Sequence, residues 1–228
     1  MRAPSLADPT APELRAGGRL LVIRFARPHA ALSWAVVGGG RGRAQAVVWR
    51  QVDDAELGPN VDPGELLRTA LAAEGLHDAI GLLTARDLST FSDVTLGEGR
   101  ARARCVATVG LGNALAAGDP PTGRHVGTIN LLVQLVSPLS EGALVEAVAL
   151  ASEARTAALL ELRVRSVRSP RCATGTGTDC IVVVAPEGPG GARYAGKHTV
   201  LGAAIGAAVF EATRRGARRW LSEWAARR

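Results

Sequence analysis

The chain has 228 residues, 47% of them hydrophobic, 21% charged and 4% aromatic, and carries a formal net charge of +6. This length suffices for the core of one large domain, and the composition excludes a wholly disordered or fibrous chain. The basic residues are spread along the sequence and aromatic interleaving is scarce, which argues against a nucleic-acid binder; no apolar run has the length of a membrane span.

Residues 1–19, rich in Pro and Ala and without an apolar centre, read as a flexible leader and not as a secretory signal. Leu20–Ala26, Leu32–Val37 and Ala44–Arg50 then read as three short strands joined by glycine turns, in an antiparallel hairpin or meander. Asp62-Pro63-Gly64-Glu65 supplies a helix start, with Asp as N-cap, Pro at the first helical position and Glu three after the cap. Gly75 ends that helix, and a second is expected near His77–Leu88.

Arg104–Leu111 and Gly127–Val136 are strand-like, and Ser137-Pro138 opens a long helix running to about Leu162. Ile181–Ala185 is a further buried strand, and Lys197–Arg215 has a helix-compatible pattern closing at Gly216. Residues 217–228 form a basic tail in which Trp220, Leu221 and Trp224 suit a short amphipathic helix. Its tryptophans either pack on the body or frame a site for a phosphate or acidic partner. Strands occur both in hairpins and between helices, so the expected fold is α/β in an α+β layout: one domain over 20–216, with a mixed, partly antiparallel sheet covered by helices.

The cysteines Cys105, Cys172 and Cys180 are odd in number and lack metal-ligand spacing. Neither a disulfide framework nor a protein-bound metal is expected, and a reducing cytoplasm is the natural compartment.

Chemistry concentrates in two glycine-bearing segments. In Ala173–Cys180, ATGTGTDC, Gly175 and Gly177 let successive N–H groups face outward, while Thr174, Thr176 and Thr178 add hydroxyls and Asp179 an acid. Such a loop binds an anion or a developing oxyanion, and the same residues also make a tight turn into a strand. In Gly196-Lys197-His198-Thr199, at an expected helix start, Lys197 is the chain's only lysine and His198 is the best general-base candidate. Asn113 and Asn130 are candidates to hold a substrate carbonyl, His29 to touch a ligand and Trp34 to stack on a flat ring, although each also has a purely structural reading. Glu153 and Arg155 read as a solvated helix face.

The strings WAVVGG, DAIGLLTARDL, ATVGLGNALAAGDP, GTINLLV, LSEGALVEA, SEARTAA, ATGTGTDC and YAGKHT occur in this order over residues 24–216. Together they resemble the adenosylcobinamide amidohydrolase family. That resemblance implies a small-molecule corrinoid substrate whose aminopropanol amide is hydrolysed to give adenosylcobyric acid for coenzyme B12 salvage. It also implies that cobalt belongs to the substrate, with no cofactor held by the protein.

On this reading the two segments face one another across a pocket. His198 activates a water, a threonine or Cys180; Asp179 orients or protonates; Lys197 and loop N–H groups stabilise the oxyanion. Residues 110–128 are expected to form a smooth recess for the corrin. The rivals are a non-catalytic corrinoid-binding module and a phosphate- or nucleotide-binding enzyme built on the threonine loop and Lys197. No nucleic-acid or membrane partner is expected, and self-association into a homo-oligomer stays open.

Overall fold

The apolar run at residue 20 does not stop at Ala26. In a computed structural model, which describes residues 11–121 and 127–227, it belongs to a strand of 14 residues, β2 (Leu20–Ser33). This strand is preceded by the short β1 (Glu13–Arg15) and followed by β3 (Gly40–Gln51). Leu32–Val37 is therefore not a second strand: Leu32 and Ser33 finish β2, and Val37 makes an isolated bridge to Gly81. The β2–β3 register jumps from Arg24↔Ala46 to His29↔Ala44, so residues 25–28 bulge out of the ladder. Pro28, which lacks an N–H, sits within that bulge and not at a turn between strands.

Helix α1 (Pro63–Ala73) begins as expected, with the Asp62 side chain accepting from Glu65 N at 2.8 Å. Gly75 follows with φ +66°, the left-handed conformation that ends helices. The helix expected near His77–Leu88 is absent; Ile80–Thr84 is instead strand β4, paired in parallel with β3. A five-residue apolar run fits either assignment by periodicity, and here the free edge of β3 decides it.

The chain continues through β5 (Ser92–Leu96), β6 (Ala103–Val109), β7 (Ala114–Leu115) and β8 (Ile129–Leu135). Helix α2 (Glu141–Glu161), the short β9 (Gly175–Thr176), β10 (Cys180–Pro186) and helix α3 (Val200–Ala226) complete it. The sheet has eight strands in the order β4-β3-β2-β10-β8-β6-β5, with β1 on β2. The β3–β4 and β8–β10 pairs are parallel and the others antiparallel, so the fold is a mixed α/β single domain.

Helices α2 and α3 cover one face of β6, β8 and β10, burying Cys105, Ala107, Leu131, Val133, Ile181 and Val183 beneath them. The opposite faces of Val106, Leu132 and Val182 join Leu21, Ile23, Val47, Trp49 and Leu82 in a second cluster. The sheet thus curls until β4 lies against β8, where Asn130 Nδ2 donates to Leu83 O at 2.7 Å. Helix α1 seals the outer side of β3 and β4 with Leu67 and Leu71.

Two boundaries differ from expectation. Residues 13–15 of the supposed leader pair with β2, while residues 1–10 lie outside the described part. Helix α3 passes through Gly216 to Ala226, so the basic tail is its last turns and not a separate segment. Among the described residues no helix is long and apolar enough to cross a membrane.

Candidate active site

The threonine loop leads into β10, and its residues are tied down from three directions. β9 pairs with β7, Thr174 N donates to Leu115 O at 2.8 Å, and Gly177 N donates to Asn113 O at 3.2 Å. Thr174 Oγ1 accepts from Ala117 N at 2.9 Å, and Thr178 Oγ1 donates to Gly127 O at 3.1 Å. The glycines clear space: a side chain at Gly175 would collide with the Asp179 carboxylate, and one at Gly177 would lie 2.6 Å from Asn113 Nδ2.

That cleared space holds Asp179, whose side chain is 7% exposed. Its Oδ2 accepts from Arg155 Nη1 at 2.7 Å and Thr176 N at 2.9 Å, and its Oδ1 from Ile129 N at 3.1 Å and the Thr176 hydroxyl. Burial pushes the carboxyl pKa up from its usual value, with Arg155 and the donors from Thr176 and Ile129 pulling it back. Three of those four partners are obligate donors, which favour the charged form; the Thr176 hydroxyl alone can reverse, so a proton is accommodated only on Oδ1. Arg155 Nη2 in turn donates to Thr174 O at 3.1 Å and Ser152 Oγ at 3.2 Å.

Arg155 is therefore not on a solvated face: it is 9% exposed and sits on the buried stripe of α2. The signal for this was in the sequence, because Arg155 falls four residues after Ala151 and three before Ala158, both core positions.

A recess of about 430 Å³ opens beside this pair, lined by Trp34, Leu115, Ala116, Ala117, Ser152, Arg155, Asp179 and the loop from Thr174 to Gly177. Thr176 presents a partly exposed hydroxyl there, hydrogen-bonded to the carboxylate behind it. Trp34 Nε1 donates to Asp179 O at 2.5 Å. The wall is stiffened by Asp119, which accepts from Ala116 N at 2.7 Å, Ser166 Oγ at 2.6 Å and Arg171 Nη2 at 2.7 Å. The hydrogen bonds from Ser166 and Arg171 hold its carboxyl well below the ordinary range. Part of the recess expected over 110–128 falls on 122–126, outside the described residues.

The second glycine-bearing segment does not join this recess. Lys197 lines a groove of about 700 Å³ between α2 and α3, and its Nζ is held by Glu153 at 2.7 and 3.0 Å. His198 is exposed and lines neither cavity. The separation follows from helical geometry: Ser152 and Arg155 point to the loop side of α2, and Glu153 is turned toward α3.

Thr199, not His198, does the local work, capping α3 by accepting from Gly202 N at 2.8 Å. Cys180 is near the loop but buried, with burial pushing its thiol pKa up to about 11, so it is a poor nucleophile at neutral pH.

Asn130 and Asn113 lie close to the loop as structural residues. Asn130 ties β8 to β4, and Asn113 supports Gly177 through its carbonyl; its Oδ1 has no partner among the described residues. His29 is far from the site: it pairs with Pro186 at the opposite end of β10 from Cys180 and packs on Phe25 with ring centroids 4.6 Å apart. Burial lowers its pKa below the ordinary imidazole value.

Fold and site together define an α/β domain with a hydroxyl-lined recess over a buried carboxylate–guanidinium pair. The chain belongs to the adenosylcobinamide amidohydrolase family, whose family model matches residues 8–225. It is 36% identical over 125 residues to an adenosylcobinamide amidohydrolase of Halobacterium salinarum, covering 49% of this chain and 51% of that one. It is 44% identical over 86 residues to an uncharacterised protein of Methanocaldococcus jannaschii, covering 37% of this chain and 33% of that one. The matches thus span about half and a third of these relatives' own lengths.

Proposed function

We propose that this chain hydrolyses the amide joining the aminopropanol arm to the corrin ring of adenosylcobinamide, releasing adenosylcobyric acid for re-use in coenzyme B12 salvage. The observation that carries the reading is the Thr176 hydroxyl at the recess surface, backed by the buried Asp179 carboxyl group, which Arg155 locks in place.

In this mechanism the substrate amide enters the recess and Thr176 Oγ attacks its carbonyl carbon, its proton passing to Asp179 Oδ1. The oxyanion forms beside the Arg155 guanidinium. The C–N bond then breaks as the proton moves to the departing nitrogen, and the amine leaves. Water, deprotonated by Asp179, attacks the threonyl ester, restoring the hydroxyl and releasing the product carboxylate. Cobalt is part of the substrate and takes no role in these steps. His198 and Lys197 lie outside the recess and are assigned no step.

The test follows adenosylcobinamide and both products by chromatography and mass spectrometry. T176A and D179N are expected to lower kcat by roughly 10²-fold or more, while H198A leaves it within a few-fold. Near-normal kcat in folded T176A and D179N sinks the mechanism; a large loss in H198A alone moves the chemistry to α3.

A further inference from the structure

We propose that the exposed indole of Trp34 is the platform on which the flat macrocycle of the substrate rests while its side-arm amide enters the recess; this rests on the functional reading above. The recess, about 430 Å³, lies near the small end of ligand pockets, roughly 300–1,000 Å³. It accepts a side arm and excludes a macrocycle carrying an adenosyl ligand. The ring must therefore be held at the mouth.

Among the described residues of that lining, Trp34 is the large apolar side chain with a free face, at 45% exposure. It is also pinned. Its Nε1 donates to Asp179 O at 2.5 Å, and its own carbonyl accepts from Cys180 Sγ at 3.6 Å. The indole thus has a fixed position relative to Asp179 and Thr176, so stacking there both binds the ring and sets the reach of its arm at little entropic cost.

The larger groove between α2 and α3 is the alternative berth and is on the wrong side. It is lined by Glu153 and Ala154, whereas Ser152 and Arg155 of the same helical turn line the recess. A ring lying in the groove would have α2 between its arm and Thr176.

The experiment compares adenosylcobinamide with N-(2-hydroxypropyl)propanamide, which carries the amide arm without the ring. W34A and W34Q are expected to lower kcat/KM for adenosylcobinamide about tenfold more than for the fragment, mainly through KM. W34F, which keeps a flat ring, stays within threefold of the parent, and A203W, which fills the groove, leaves KM unchanged. Equal losses on both substrates would make Trp34 a structural support of Asp179 and overturn the platform, as would a KM within twofold in W34A or a rise confined to A203W. If the parent chain turns over neither substrate, the functional reading itself has failed, a result distinct from any of these.

Discussion

Asp179 and Asp119 show how one residue type serves opposite ends. Asp179 is surrounded by donors yet held in a place where burial works against its charge, a combination typical of groups that exchange protons. Asp119 is held low by Ser166 and Arg171 and braces the recess wall. Because its folded pKa is depressed, its contribution to stability is complete above the unfolded value, near 3.9, and is lost as pH falls through the folded one. Urea unfolding should therefore show D119N less stable than the parent at pH 7, with the difference shrinking from about pH 4 downward. A gap that stayed constant to pH 2.5 would assign the effect to something other than the charge. Arg155 was legible only in part. Its position on the apolar stripe of α2 could be counted off, but its partner lies 24 residues away, and nothing local to the helix names it.

Among the elements, α3 carries three glycines, and the sequence does not separate the roles of two of them, Gly206 and Gly216. A methyl group at Gly206 would meet nothing nearer than Leu150 Cδ1 at 3.9 Å, whereas one at Gly216 would lie 2.6 Å from Val109 Cγ2 and 2.9 Å from its Cβ. G206A should stabilise the protein by up to about 1 kcal/mol through helix propensity. G216A should lose roughly 1–3 kcal/mol, because α3 cannot approach β6 as closely. Thermal or urea melts of the pair decide it, and a stabilised G216A would show that the helix shifts freely. The same contact explains why Gly216 is not a helix stop. Its absent side chain is used for packing, and local rules cannot distinguish that from a C-cap. The strand β4 was missed for a related reason: a short apolar run takes its state from the edge it meets.

At the scale of the whole molecule, the curled sheet and the two long helices join distant parts of the chain. The last turns of α3 bury Ala217, pack Trp220 and Leu221 on the main core, and pair Glu223 with Arg86 at 2.7 Å. Trp220 and Trp224 stack with centroids 5.2 Å apart. Removing residues 217–228 should cost roughly 2–4 kcal/mol of apolar burial. At about 2–4 °C per kcal/mol this lowers Tm by roughly 5–15 °C. An unchanged Tm in calorimetry would reduce these turns to solvated decoration.

What the amino-acid order determined alone is the part whose physics is local. The Asp62 cap, the apolar strands at β6, β8 and β10, and a glycine–threonine loop carrying an acid each arise within about ten residues. The alternation of strand pairs and helices was enough for a mixed sheet. Tertiary structure decided which polar groups meet. It brought Trp34 to Asp179 across 145 residues of chain and Arg155 to the same carboxylate. It left Lys197 on the other flank of α2, because one helical residue of rotation separates Glu153 from Ser152. Side-chain periodicity shows that a helix has faces; only packing onto the sheet assigns each face its neighbour.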